Sequence, residues 1–146
     1  QVSVVGGGAA LAGSELEYVV RVTNIGSITA TSVVITDDMS LPVAGQKTYI
    51  NGSGQLDGLP AGISFSGTLL TATVGNLAAA TVAELRFRVT LANSLSIGDS
   101  VINTADVVWN TPASTASASV SIDIGGIPGS ANINGQVWND TDFSND

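Results

Sequence analysis

A chain of 146 residues that is 44% hydrophobic is long enough to bury a core and too apolar to stay disordered. Its formal charge is −8, and one lysine (Lys47) with three arginines (Arg21, Arg86, Arg88) cannot track a phosphate backbone, which excludes a nucleic-acid partner and disfavours an anionic membrane surface. Without cysteine or histidine, disulfide frameworks, thiolate metal sites and imidazole-based triads are excluded too.

Charged residues make up only 11% of the chain, against about a quarter in ordinary domains, so Ser, Thr, Asn, Gln and Gly must supply most of the polar surface. The abundance of Val, Ile and Thr, with 17 glycines, favours strands and tight turns. No segment keeps an apolar stripe at helical spacing, and neither a signal peptide nor a membrane span is visible. A chain that begins at Gln1 is expected to be an excised or processed fragment of a longer protein.

In chain order, Gln1 to Val5 alternates as a first strand. Gly6-Gly7-Gly8 breaks it, with a resumption expected over Ala9 to Ala12. After the Gly13-Ser14 turn comes the clearest strand, Glu15 to Asn24. It has Leu16, Tyr18, Val20 and Val22 on one face and Glu17, Val19, Arg21 and Thr23 on the other. Asn24 to Ser27 reads as a hairpin connection, Thr29 to Thr36 as the returning strand, and Asp37-Asp38 as its turn.

Residues 42–62 carry few signals beyond a short strand at Thr48 to Asn51 and a turn at Asn51 to Gly54. Strands are predicted at Ile63 to Ser66 and Leu69 to Val74, followed by a turn from Asn76 to Ala80. Thr81 to Ala92 should point Leu85, Phe87, Val89 and Leu91 inward and Glu84, Arg86, Arg88 and Thr90 outward. Val101 to Trp109 places Val101, Asn103, Ala105, Val107 and Trp109 on one face, and Ala116 to Ile124 closes the series.

About seven to nine short strands separated by turns, with no alternating helices, predict an all-β, immunoglobulin-like antiparallel sandwich over 1–124. Residues 125–130 read as a linker, and 131–146 as the truncated start of a following module.

The order Gly13 to Tyr18, Val22-Thr23-Asn24-Ile25-Gly26-Ser27, Val33 to Asp37, Gly75-Asn76-Leu77 and Asn103-Thr104-Ala105-Asp106-Val107 resembles the conserved repeat known as domain of unknown function number eleven. In that family a "G-x-x-x-x-Y" strand leads to "T-N-x-G", "V-x-x-x-D", a "G-x-L" turn and a late "N-x-A" strand. The resemblance implies an immunoglobulin-like sandwich from tandem arrays in large secreted and surface proteins of bacteria and archaea. It supplies no catalytic residues. Here Pro42 comes later than the family's "L-P" turn would place it, so the loop to Gly62 should be remodelled.

A second stretch, Ile133 to Asp142, resembles the opening of the B-type repeat of serine-aspartate adhesins, "I-x-G-x-V-W-x-D-x-N", a calcium-binding repeat. Asp140, Asp142, Ser144 and Asp146 match positions 1, 3, 5 and 7 of a calcium loop, where alternate oxygens converge on one ion. The acid of position 12 lies beyond Asp146. Calcium is therefore expected in the intact parent and a weakly liganded tail in this chain alone, a solvated acidic tail being the alternative.

Other candidates have plainer readings. Asp37-Asp38 with Glu15 or Asp99 at one pole is read as turn chemistry. Asn24 and Asn103 are read as amides that satisfy backbone groups, and Tyr18 and Trp109 as core aromatics. Lys47 would suit an intramolecular isopeptide bond if it were buried beside an Asn or Asp and an acid, but its loop-like setting predicts an exposed charge. With the acids on outward faces or in turns, no enzyme activity is expected. The chain reads as a structural spacer or stalk module of an extracellular or cell-surface bacterial protein or adhesin. Its partners would be neighbouring modules of the same chain and a surface glycan or protein. The alternative is a ligand-binding module whose loops grip that glycan or protein, with Tyr49 as the candidate exposed aromatic.

Overall fold

The computed structural model of the protein describes residues 1–126. They form ten strands: β1 (Val2–Val4), β2 (Glu15–Thr23), β3 (Ala30–Asp38), β4 (Lys47–Tyr49), β5 (Gln55–Leu56), β6 (Ile63–Ser66), β7 (Leu69–Leu77), β8 (Val82–Leu91), β9 (Ser100–Trp109) and β10 (Ser114–Asp123). Two five-stranded sheets result. The first runs β1-β2-β8-β4 with β5 also on β8, and the second runs β10-β9-β3-β7-β6. Every pairing is antiparallel, and the all-β sandwich is the architecture expected from the alternation.

The central pair of the first sheet is β2 with β8, in a register that sets Tyr18 opposite Phe87 and Leu16 opposite Val89. Because side chains alternate across a strand, this register commits Leu16, Tyr18, Leu85, Phe87, Val89 and Leu91 to one face, and all six are buried. From the second sheet Ile35, Leu70, Ala72, Val101 and Ile122 meet them in a single cluster. The opposite face of the β2–β8 pair carries the cations. Arg21 pairs with Glu84 (2.7 Å), Arg86 with Glu84 (2.6 Å) and Glu17 (3.3 Å), and Arg88 with Glu17 (3.2 Å).

The strand count exceeds the expected seven to nine because the poorly signalled segment 42–62 builds an interrupted edge strand. Here β4 pairs with residues 89–91 of β8 and β5 with residues 85–86. Between them the chain detours, and Ser53 bridges the gap by accepting the Arg88 N–H on its hydroxyl at 3.0 Å. The predicted strand over Ala9 to Ala12 does not form. The triple glycine has positive φ at all three positions, which rules out extended pairing, yet Ala10 is buried and exchanges backbone hydrogen bonds with Gly125 and Gly126. The predicted turn at Asn76 is instead still strand, since β7 runs to Leu77.

Asn24 does what its position after a strand suggests. Its Nδ2 donates to the carbonyls of Ile28 (2.8 Å) and Leu77 (2.9 Å), and its Oδ1 accepts from the Gly26 N–H (3.0 Å). One amide thus closes the β2–β3 connection onto β7. Asn24→Ala removes three hydrogen bonds at a partly buried turn and is expected to cost about 1–3 kcal/mol. A urea midpoint equal to that of the wild type would show that water replaces the amide without loss.

Candidate functional site

Alternation along β3 puts Val33, Ile35 and Asp37 on the inward face, and along β9 it does the same for Val101, Asn103 and Ala105. In the β3–β9 register Asp37 lies opposite Ala105, so Asn103 is its diagonal neighbour on the same face. From the first sheet, β4 points Lys47 and Tyr49 inward, leaving Thr48 out. Three polar side chains thereby meet between the sheets: Asp37 at 1%, Lys47 at 3% and Asn103 at 3% exposure. They are the buried polar residues of the described chain.

Their hydrogen bonding is incomplete. Asn103 Nδ2 donates to Asp37 Oδ2 at 2.5 Å, while Asp37 Oδ1, Asn103 Oδ1 and the hydroxyl of buried Tyr18 have no partner among the described residues. Buried polar atoms are normally paired, so two orphan oxygens on one interacting pair need an explanation. Lys47 Nζ donates to the carbonyls of Leu41 (2.6 Å) and Ile102 (3.1 Å), the latter being the residue just before Asn103. It forms no ion pair among the described residues.

Burial acts on both ionisable groups toward neutrality. It pushes the Asp37 carboxyl up to about 7, outweighing the Asn103 hydrogen bond and the Lys47 charge that pull it down, with Asp106 and Asp38 adding to the rise. Burial also lowers Lys47, against the attraction of Asp37 and Asp38. Burial raises the Tyr18 phenol as well, with the Asp37 charge as a smaller contribution.

The sequence expectation for Lys47 is thus overturned. It is an interior group, because the three-residue strand β4 aligns it with Tyr49 toward the core. Tyr49 is likewise no exposed aromatic. It packs on Phe65 with ring centroids 4.5 Å apart, and its hydroxyl accepts the Gly54 N–H at 2.9 Å. Asp37 is not a turn residue, and the Asn103 amide faces a carboxyl instead of backbone. The turn reading holds for Asp38, whose Oδ1 accepts from the Ser40 N–H (2.9 Å) and hydroxyl (2.7 Å), and for Asp99, which accepts the Ser96 N–H (2.7 Å). Among the described residues no group of three acidic side chains is placed to hold a metal. Asp140, Asp142, Ser144 and Asp146, with the segment 131–146 that carries them, lie outside the described residues, as does most of the linker 125–130.

Toward the other end of β3 and β9 a second feature opens between the sheets. It is a cleft of about 530 Å³, lined mainly by apolar groups that include Val20, Val22, Val33, Val107 and Trp109. Ile25 and Ile28 stand exposed at its edge.

No protein-family model and no curated protein sequence matches the chain. Solved structures do. The fold is similar to the major pilin subunit of Bacillus cereus, at 14% identity and a TM-score of 0.57, over 88% of this chain and 40% of that one. It is similar to a backbone pilin of Streptococcus pyogenes, at 11% identity and a TM-score of 0.56, over 84% of this chain and 35% of the pilin. The collagen-binding subdomain of the Enterococcus faecalis surface protein ACE matches at 13% identity and a TM-score of 0.51, over 79% of this chain and 92% of that one. The chain thus spans well under half the length of the two pilins. At such identities the likeness establishes the fold: this is an immunoglobulin-like sandwich of the type used in bacterial pilins and surface adhesins.

Proposed function

We propose that the chain is a non-enzymatic structural module, a spacer or stalk unit of a large extracellular bacterial surface protein, related to the repeat known as domain of unknown function number eleven. The observation that carries this reading is the match to pilins. Most of this chain corresponds to a fraction of each pilin, so a unit of this size and fold serves there as one part of a longer surface chain. Antiparallel ladders on both sheets suit a part that transmits tension between neighbours. Antibody raised against the folded module should label intact cells that make the parent protein. Labelling only after permeabilisation would place the parent inside the cell and remove the proposal.

A second reading, a module that binds a protein segment, is favoured by the apolar cleft with Ile25 and Ile28 at its edge and by the similarity to a collagen-binding subdomain. The calcium expectation joins the first reading. Asp140, Asp142 and Ser144, with the backbone carbonyl of Asp146, would hold the ion once the following module supplies the missing acid. Calorimetric titration should show weak binding to this chain, because ordering its half-loop costs roughly 1–2 kcal/mol per residue, and tighter binding to a chain extended by that module. No binding by the extended chain at millimolar calcium would reduce the segment to an acidic linker.

A further inference from the structure

We propose that Lys47 and Asn103 join through their side chains in an intramolecular isopeptide bond, formed by the protein itself with Asp37 as its acid–base catalyst. This inference rests on the chain's own interior and stands whether or not the surface location holds.

The three groups are the buried polar residues of the described chain, with Asp37 hydrogen-bonded to Asn103 and Lys47 bound to the carbonyl just before Asn103 and close enough to act on the Asp37 charge. A buried lysine with no ion pair is costly as a cation. Its amine is instead held by two neutral carbonyls, one of them the backbone oxygen adjoining Asn103. A desolvated, neutral lysine amine is a nucleophile. A side-chain amide is a poor electrophile until its oxygen is protonated or strongly hydrogen-bonded. Among the described residues Asp37 is the side chain hydrogen-bonded to that amide, and burial favours its protonated form, which can donate. A half-turn of the Asn103 amide about Cβ–Cγ exchanges its oxygen and nitrogen. The orphan Oδ1 then faces Asp37 and accepts its proton. This motion gives the unpartnered Asn103 oxygen a donor.

The reaction balances without a redox partner. The neutral Lys47 amine attacks Cγ of Asn103, forming the new C–N bond while Asp37 gives its proton to Oδ1. Asp37 then takes a proton from the attacking nitrogen and delivers one to Nδ2. The C–Nδ2 bond breaks, ammonia leaves with its electron pair, and the Oδ1 hydroxyl returns its proton to Asp37 as the carbonyl re-forms. The products are a secondary amide between β4 and β9 and one ammonia, and Asp37 ends as the carboxylic acid it began as. Because β4 belongs to the first sheet and β9 to the second, the bond covalently ties the two layers. The chemistry happens once per molecule and is not turnover.

Tryptic digestion of the denatured 146-residue chain with mass spectrometry tests this. Cleavage is possible after Arg21, Arg86 and Arg88, and after Lys47 only if its amine is free. The expected product is residues 22–86, uncut at 47, joined to 89–146 in one branched species lighter by one ammonia than the two parts. Whole-chain mass is not enough, because cyclisation of Gln1 also releases ammonia; digestion confines that loss to residues 1–21. Separate peptides 22–47, 48–86 and 89–146 from folded protein would overturn the proposal. So would a 22–86 peptide lighter by one water, which would place the bond on Asp37. Lys47→Met and Asn103→Ala should each abolish the branched species. Asp37→Asn, the near-isosteric change, should keep the fold by circular dichroism and leave Lys47 open to trypsin. Full cross-linking in Asp37→Asn would overturn the role of the carboxyl.

Discussion

Phe87→Ala is expected to destabilise the sandwich by about 3–5 kcal/mol, measured by urea titration with the slope of the transition unchanged. The ring lies at the middle of β8, the strand that carries β2 on one side and both β4 and β5 on the other. It is fully buried and stacks on Tyr18 across the β2–β8 pair, ring centroids 5.4 Å apart and planes 25° from parallel. Truncation removes the largest apolar contribution at the sheet centre and leaves Tyr18 without its partner, itself worth about 0.5–1.5 kcal/mol. The surrounding Leu16, Leu85 and Val89 are fixed in β-ladders and cannot collapse into the space, so the cavity persists. A change below about 1 kcal/mol would mean that the core is loosely packed and that the β2–β8 register does not set its centre.

Where alternation ran for eight residues or more, the sequence was enough. β2 and β8 each carry an apolar face and a face that holds their charges, and a one-residue slip of either would turn the apolar set to solvent. Asn24 was legible for a local reason, because an amide between a strand and a Gly-containing turn has backbone groups within reach. The candidate site was half legible. The inward position of Asn103 followed from the alternation of β9, and Asp37 extends the Val33–Ile35 row by one step. Ending β3 at Thr36 and reading Asp37-Asp38 as a turn lost it.

Lys47 was hidden for a different reason. Its strand is three residues long, too short for periodicity to show, and its inward direction is imposed by pairing with β8, a partner about forty residues later along the chain. Its one local signal is Tyr49, two residues on and on the same face. Reading that ring as core instead of as a loop aromatic would have brought the lysine inside with it. Lysine is so seldom buried without a partner that propensity argued the other way. Functional interiors are where such rules fail.

Acidification from pH 7 to pH 4 is expected to stabilise the protein, by roughly 4 kcal/mol at most, and Asp37→Asn should abolish the gain. Burial holds the folded carboxyl near 7, against 3.8 for the unfolded chain. Between those values the folded state binds a proton that the unfolded state does not, so stability falls as pH rises across the window and is flat above it. Groups around Asp37 act in both directions. In the unlinked chain the Asn103 hydrogen bond and Lys47 favour its ionised form, and Asp106 and Asp38 disfavour it. Asp38 and Glu84 respond oppositely, because hydrogen bonds from Ser40 and Arg86 hold them below the usual range. The stability they lend is present above that range and is lost as pH falls through their lowered values, so the optimum lies in weak acid. Urea titrations from pH 4 to 8 on wild type and Asp37→Asn isolate the pH dependence of the buried carboxyl, since the other carboxyls are common to both. The same change in midpoint between pH 4 and 7 in wild type and Asp37→Asn would show that Asp37 ionises freely. The alkaline limb reports on Lys47. A free buried amine, lowered from 10.5, sheds its proton before the unfolded chain does, so stability would rise with pH up to that value. A lysine locked in an amide has no proton to release. The rise is therefore expected in Asp37→Asn, where the bond does not form, and is expected to be absent from the wild type.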